Sequence, residues 1–297
     1  NNIMTTQLRK ATRQKAKIRL GLSAVSGGGK TYTALLIAFG ITSDWNKIAI
    51  IDTENNSADL YAHLGGYNVL PLAPPFSPEA YINAISECED AGMEVIIIDS
   101  IAHEWEGEGG VLALCDSIGG GFQTAWKQLT PRHEKFKQKI LQSKCHIITT
   151  VRRKQEYILV EEMNKSGKMV QKPVKAGMKE ITREGWEYEL TVNLELDVRH
   201  HATASKDRTG LFVNTDPFIP TIETGKLIKE WCESGAEVIL TENQKIVIEI
   251  NESILKLKEC KTEQELKELK STLPIYVVNS NEFKIAGGAR YKEIVNN

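Results

Sequence analysis

The stretch that most constrains this chain is "AVSGGGKT", residues 24–31, because of what flanks it. Before it, "KIRLGLSA" (17–24) alternates apolar and polar residues as a half-buried strand does; after it, "TYTALLIAF" (31–39) is apolar and long enough for a buried helix, with Gly40 placed to end it. Glycines between a strand and a helix let the backbone wrap an anion, so that N–H groups converge on it at the positive end of the helix. A lysine then neutralises the terminal phosphates of a nucleotide and a hydroxyl binds Mg²⁺. Gly27, Gly28 and Gly29 supply the wrap, Lys30 the charge and Thr31 the hydroxyl, while Ala24 replaces the first glycine of the strict pattern. Ala24, Ser26, Gly27, Gly28, Gly29, Lys30, Thr31 and Tyr32 are thus the expected nucleotide contacts, with ATP and Mg²⁺ as cofactors.

The apolar runs "KIAIID" (47–52) and "EVIIID" (94–99) each end in an acid, as central parallel strands do when functional groups sit at their carboxyl ends. Asp99 is placed to hold the metal's water shell, and Glu54, just past the first of these strands, is placed to act as base or to position water. Residues 131–143 read as a helix and "CHIITTV" (145–151) as another buried strand. Strands alternating with helices predict an α/β fold with a mostly parallel central sheet flanked by helices. The 297 residues, 41% hydrophobic and 26% charged, suffice for one sizeable core plus an appendage. No apolar run approaches the roughly 20 residues of a membrane span, and no secretory signal is recognisable, so a cytoplasmic protein without membrane contact is expected. The five cysteines lie far apart without a C-x-x-C pair, which predicts reduced thiols rather than a zinc site or disulfides.

Beyond residue 151 the pattern changes. "QEYILVEE" and "KMVQKPV" flank "NKSG", consistent with a β-hairpin or a mobile loop. "LTVNLELDV" (190–198) alternates, predicting a strand exposed on one face. After about residue 236 the composition turns helical: Thr241 and Thr262 precede Gln244 and Glu265 by three positions, as in capping boxes, and Ile246, Ile250, Ile254 and Leu257 form one apolar stripe. The expected organisation is a basic N-terminal arm (1–16), an ATPase core (17–235) with a long basic loop or hairpin at about 152–185, and a small helical C-terminal region (236–297).

The net charge of −2 hides an uneven distribution. Arg9, Lys10, Arg13, Lys15, Lys17 and Arg19 run up to and into the first strand with no acid among them, and a second basic stretch runs from Lys127 to Lys179. Such segments neutralise phosphates or form solvated faces.

The phosphate loop, the strand ending in an acid with a glutamate two residues later, and the second strand ending Asp-Ser together resemble the RecA-like ATPases. The resemblance covers roughly residues 17–225 and implies Glu54 as catalytic glutamate and Asp99 as Walker B aspartate. "HIITTVRRK" resembles the family's sensor strand, with Thr150 where RecA carries a glutamine that couples nucleotide state to DNA. "ASKDRTGLF" (204–212) resembles the K-x-R element of RecA-like hexameric helicases, which implies that Lys206 and Arg208 reach a neighbour's γ-phosphate and that the protein is a homo-oligomer, ring or filament. The same D-R-T-G residues also suit a polar hairpin turn. The whole order looks most like phage-encoded RecA-like ATPases of AAA type, some of which resemble recombinases associated with single-strand annealing.

In RecA-like proteins the loops after these strands grip single-stranded DNA. The first, "HEWEGEGG", is acidic at Glu104, Glu106 and Glu108, which argues against phosphate contact; the second offers Arg152, Arg153, Lys154, Lys165, Lys168, Lys172, Lys175 and Lys179. Tyr157 and Trp186 nearby read as hairpin packing. The expected function is therefore a Mg²⁺-dependent ATPase on single-stranded DNA; the helical tail is expected to pack on the core, with a single-strand-binding protein as the alternative partner. The alternative is an ATP-binding oligomeric switch or loader acting on a protein. A nucleoside kinase would want an arginine-rich lid, which is not identifiable, and a ParA-like ATPase would want a lysine where Val25 stands.

Overall fold

The computed structural model describes residues 11–118, 122–163, 169–236 and 242–295, and for 122, 155–177, 242–245, 247–248 and 295 the backbone alone. The elements run β1 (Arg19–Ala24), α1 (Lys30–Thr42), β2 (Ile48–Asp52), β3 (Asn68–Pro71), α2 (Pro78–Asp90), β4 (Val95–Asp99), α3 (Ala102–Glu106), α4 (Val111–Ser117) and α5 (Phe122–Gln142). There follow β5 (His146–Met163), β6 (Met169–Glu180), α6 (Trp186–Glu189), β7 (Val192–Leu196), β8 (Ala202–Asp207) and α7 (Ile222–Glu233). The chain divides into two compact units, Asn1–Ala236 and Glu237–Asn297, the second holding α8 (Glu242–Glu259), α9 (Glu263–Thr272), α10 (Ile275–Asn279) and α11 (Asn281–Val295).

The sheet order is β3-β2-β4-β5-β1-β7-β8. Its strands are parallel except β8, which runs antiparallel to β7, and β6, which pairs antiparallel with β5 beyond the sheet's edge of register. Isoleucine dominates the middle because parallel strands with helices on both sides bury both faces, and a β-branched side chain packs well on a pleat. Alternation then assigns the faces. Leu20, Leu22, Ile48, Ile50, Val95, Ile97 and Ile148 pack against α1 and α7, whereas Ile51, Ile96, Ile98 and Ile147 pack against Tyr81 and Ile85 of α2 and Phe136 and Ile140 of α5.

Three expectations are corrected. Gly40 does not end the first helix, which continues to Thr42 and stops at Ser43 in a left-handed turn (φ 59°). Gly40 instead faces Gly225 of α7: a Cβ on Gly40 would lie 2.1 Å from the Ile222 carbonyl oxygen, so the two helices touch through their backbones. The helix expected over 131–143 is α5, which begins at Phe122 and carries Pro131 inside it rather than starting there. β7 is not exposed on one face. Val192, Asn193, Leu194 and Leu196 are all buried: Val192, Leu194 and Leu196 join the core that packs against α1 and α7, and the other face is met at Asn193 by Glu180 of β6. The polar residue in that pattern is accommodated by hydrogen bonds from Asn193 Nδ2 to Glu180 Oε1 (2.9 Å) and Ser205 Oγ (3.0 Å).

The segment read as a loop or hairpin is a hairpin in its backbone, pairing Arg153 with Glu180 at its base and Met163 with Met169 at its far end. Of the basic arm, residues 1–10 lie outside the described residues; the part that follows is laid along α7, with the Arg13 guanidinium 4.5 Å from the Trp231 ring and the Lys15 N–H on the Ala236 carbonyl. In the second unit Leu257, Leu266, Val277 and Phe283 form the core, joined by Ile250 and Ile254. The Thr262 and Glu265 capping box is formed; Thr241, the other capping residue, lies outside the described residues. All five cysteines are free thiols, and no helix among the described residues is long and apolar enough to cross a membrane.

Candidate functional site

The register of the parallel strands brings four sequence-distant segments to one end of the sheet. Asp52 lies beside Asp99, Ile98 beside Thr149, and Ala24 beside Arg152. The loop after Ala24 turns through Gly27 (φ 77°) and Gly29 (φ 79°), left-handed conformations that a side chain would strain. That turn delivers the chain into α1 with its N–H groups leading. Lys30 folds back on the loop, its Nζ donating to the Val25 carbonyl at 3.3 Å. Burial lowers the Lys30 ammonium's pKa, while the carboxylates of Asp99 and Glu54 act in the opposite direction.

Asp99 is 3% exposed and accepts two hydroxyl hydrogen bonds of 2.5 Å, from Thr31 to Oδ2 and from Thr150 to Oδ1. Burial raises its pKa and the two hydroxyls offset part of the shift. A hydroxyl and a carboxylate at this separation are hard oxygen donors of the kind Mg²⁺ takes. Sequence expectation placed Thr31, Asp99 and Thr150 in one site, and the structure brings them into direct contact.

Glu54 is set by a small framework that the sequence reading missed. Asp52, 2% exposed, accepts from the Glu54 N–H (2.6 Å) and the Ala58 N–H (2.8 Å), which folds the segment after β2 into a tight turn. Thr53 ties that turn to β4 by its N–H on the Asp99 carbonyl (2.8 Å) and by accepting the Ser100 N–H (2.9 Å). The Glu54 carboxylate is thereby turned toward Ser100, whose Oγ donates to it at 3.2 Å. It is also gripped by Arg152, whose Nε donates to Oε1 at 3.1 Å and whose Nη2 pairs with Oε2.

His200 was also missed. It lies in the turn between β7 and β8 (φ 66°) with its ring over the phosphate loop, so that a Cβ on Gly29 would come within 2.7 Å of its Nδ1. No local pattern announces it. Tyr32, expected at the nucleotide, is 40% exposed, with its ring 5.9 Å from that of Tyr61.

Lys206 and Arg208 are not brought to this site. β8 pairs Asp207 with Val192, which in turn lies beside Leu20, so the K-x-R element sits toward the amino end of β1, away from the phosphate loop. Both side chains donate to the Tyr188 carbonyl, Arg208 at 3.1 Å. The turn that follows is organised by Asp207, which accepts from the N–H groups of Thr209 (2.7 Å) and Phe212 (2.7 Å).

Of the expected DNA-binding cations, Arg152 is on Glu54, Arg153 pairs with Glu195 (2.7 Å) and Lys154 is 64% exposed with Glu106 at 3.9 Å. Lys179 is exposed on β6. Lys165 and Lys168 lie outside the described residues, as do the side chains of Lys172, Lys175 and Tyr157. Trp186 is buried and stacks with Phe136 at 6.3 Å. Glu104, expected on an acidic loop, is 1% exposed and bonded to His133 Nδ1 at 3.0 Å, so it adds no charge to that surface. Burial raises its pKa, and His133 opposes the shift.

Against known proteins, a sequence model described as an AAA domain matches residues 16–262. No curated protein matches. Among solved structures, the chain is similar to one described as a prototypical ATPase from the type III secretion system of pathogenic bacteria, at 12% identity and a TM-score of 0.33, over 97% of this chain and 87% of that one. With the family model spanning most of the chain and the phosphate loop, Asp99 and Thr31 assembled as described, this chain belongs to the AAA domain family and is an ATP-hydrolysing P-loop enzyme.

Proposed function

We propose that this ATPase works with Mg²⁺ on single-stranded DNA, in phage recombination, annealing or replication. In that reading Lys30 and the loop Ala24, Ser26, Gly27, Gly28 and Gly29 hold the phosphates, Thr31 and Asp99 hold the metal, and Tyr32 lies at the nucleotide's edge. Glu54 orients or deprotonates the attacking water, and Thr150 senses the state of Asp99. Arg153, Lys154, Lys165, Lys168, Lys172, Lys175 and Lys179 follow the phosphates of the strand.

The observation that carries the reading is the continuity of β5. One strand contains Thr150, bonded to Asp99, then Arg152, bonded to Glu54, and then the basic arm. A polyanion that meets Arg153 or Lys154 at the base of the arm is thus within a few residues, along one strand, of the groups bonded to Asp99 and Glu54. Steady-state ATP hydrolysis with and without single-stranded DNA, at low and moderate salt, tests it. Stimulation that fades as salt rises is expected; turnover indifferent to DNA at both salts would sink the DNA reading and leave the ATPase in place.

Lys206 and Arg208 act in trans in this proposal, one subunit completing its neighbour's site, since within one chain they lie toward the other end of the sheet. Arg208→Ala should therefore lower turnover while nucleotide binding persists, and mixing it with Glu54→Gln should restore part of the activity through hybrid interfaces. No recovery at any mixing ratio would exclude action across subunits.

A further inference from the structure

We propose that Arg152 is a positioning residue that holds Glu54 out of action until the β5–β6 arm is displaced. The inference rests on the reading of Glu54 as the group that handles the attacking water. Such a group must offer a lone pair to that water. In this structure three of the carboxylate's roughly four acceptor sites are occupied: Oε1 accepts from Arg152 Nε (3.1 Å) and Ser100 Oγ (3.2 Å), and Oε2 is paired with Arg152 Nη2, which leaves one site, on Oε2, beside the guanidinium. A planar guanidinium fork matches a carboxylate edge to edge, so one side chain engages both oxygens at once and holds the carboxylate turned toward itself.

The grip is built to be released. Arg152 is 39% exposed and Glu54 21%, so the pair is in reach of water and ions, and its strength is that of a partly screened pair rather than a buried one. Arg152 also lies close enough to the phosphate cradle for its charge to depress the Lys30 ammonium, behind the larger effect of burial. Its guanidinium is therefore within the field of any anion that the loop binds.

The backbone supplies the coupling. Arg152 sits beside Ala24 in the sheet, its carbonyl accepts the Ile181 N–H at 2.8 Å, and the next residue, Arg153, begins the ladder of the arm against Glu180. Arg152 is thus the last residue of β5 that belongs to the sheet and the first that feels the arm. A twist of the arm rotates the Arg152 peptide and withdraws the fork from Glu54, whereas Glu54 stays fixed by Asp52 at the end of β2 and by Thr53, which is bonded to β4.

The test is basal ATP turnover, with no nucleic acid present, of the full chain and of Arg152→Gln, Arg152→Lys and Glu54→Gln. Removing the fork should raise basal kcat by roughly three- to tenfold while KM for ATP stays within about twofold. Arg152→Lys, a point charge that covers one oxygen at a time, should fall between wild type and Arg152→Gln. A purely structural role would lower kcat in both variants together with the melting temperature. Basal kcat of Arg152→Gln at or below wild type, with Glu54→Gln inactive, overturns the latch. Turnover of Glu54→Gln equal to wild type means instead that the reading of Glu54 has failed. Should Arg152→Gln lose its cooperative melt, Arg152→Lys decides alone: kcat above wild type supports the latch and kcat at or below it overturns it.

Discussion

The two ends of the parallel strands both bury charge, and they satisfy it in opposite ways. At the amino end, Arg19 is 6% exposed and its guanidinium gives all its hydrogen bonds to main-chain carbonyls: Ile18 (3.0 Å), Cys145 (2.8 Å), Leu141 (3.1 Å) and Ser143 (2.5 Å). At the carboxyl end, Asp99 is bonded to Thr31 and Thr150, and Glu54 to Ser100 and Arg152, side chain to side chain. A carbonyl cannot leave without unfolding the element that carries it. A hydroxyl or a guanidinium can rotate and take a new partner. The amino end is therefore a fixture that ties the start of β1 to the end of α5, and the carboxyl end is a set of exchangeable contacts that a nucleotide can rearrange.

The contrast is broken most severely if a carboxyl-end change alters stability while an amino-end change alters turnover. Glu54→Gln is expected to cut turnover by at least about a hundredfold and to leave the thermal midpoint close to wild type, since Gln keeps the shape and the Ser100 contact. Steady-state kinetics beside a thermal melt checks both halves. Arg19→Met should do the reverse: loss of a buried guanidinium that serves several carbonyls is expected to cost about 3 kcal/mol in urea unfolding. Unchanged urea stability would show that water replaces it and that the amino end is no fixture.

The smallest effect concerns pH. His146 is 7% exposed and accepts the Ile18 N–H at its Nδ1 (3.2 Å); burial lowers its pKa to about 3, helped by the charges of Lys17 and Arg19. A histidine held neutral in the folded state stabilises fully above its unfolded pKa and loses that contribution as pH falls toward the folded value. Stability should thus decline from about pH 6.5 downward, by about 2 kcal/mol at pH 5 from this group. His146→Gln should flatten that part of the profile, and an equally steep decline in the variant would assign the loss to other groups.

How much of this was legible depended on whether a signal was local. The phosphate loop, Asp99 and the alternation of strand and helix announce themselves within a few residues of chain, and they stand where the pattern placed them. The grip of Arg152 on Glu54 joins positions 98 residues apart, and nothing near either one encodes it. Arg19 reads as one more cation in a basic run because sequence shows its charge and not the carbonyls that converge on it. β7 misleads for a related reason: Asn193 looks like a solvent-facing position, but its partners Glu180 and Ser205 come from two other elements. Gly40 reads as a helix stop because glycine ends helices more often than it serves as a point of contact.

That last residue has a mechanical consequence. Where helices meet through side chains, rotamers act as springs and one helix can slide over the other; where Gly40 meets Gly225, there is no spring. The helix that receives the phosphate loop and the helix on which Arg13 rests are held backbone to backbone at that point. A shift of the first is therefore passed to the second, and with it to Trp231 and the N-terminal segment lying on it.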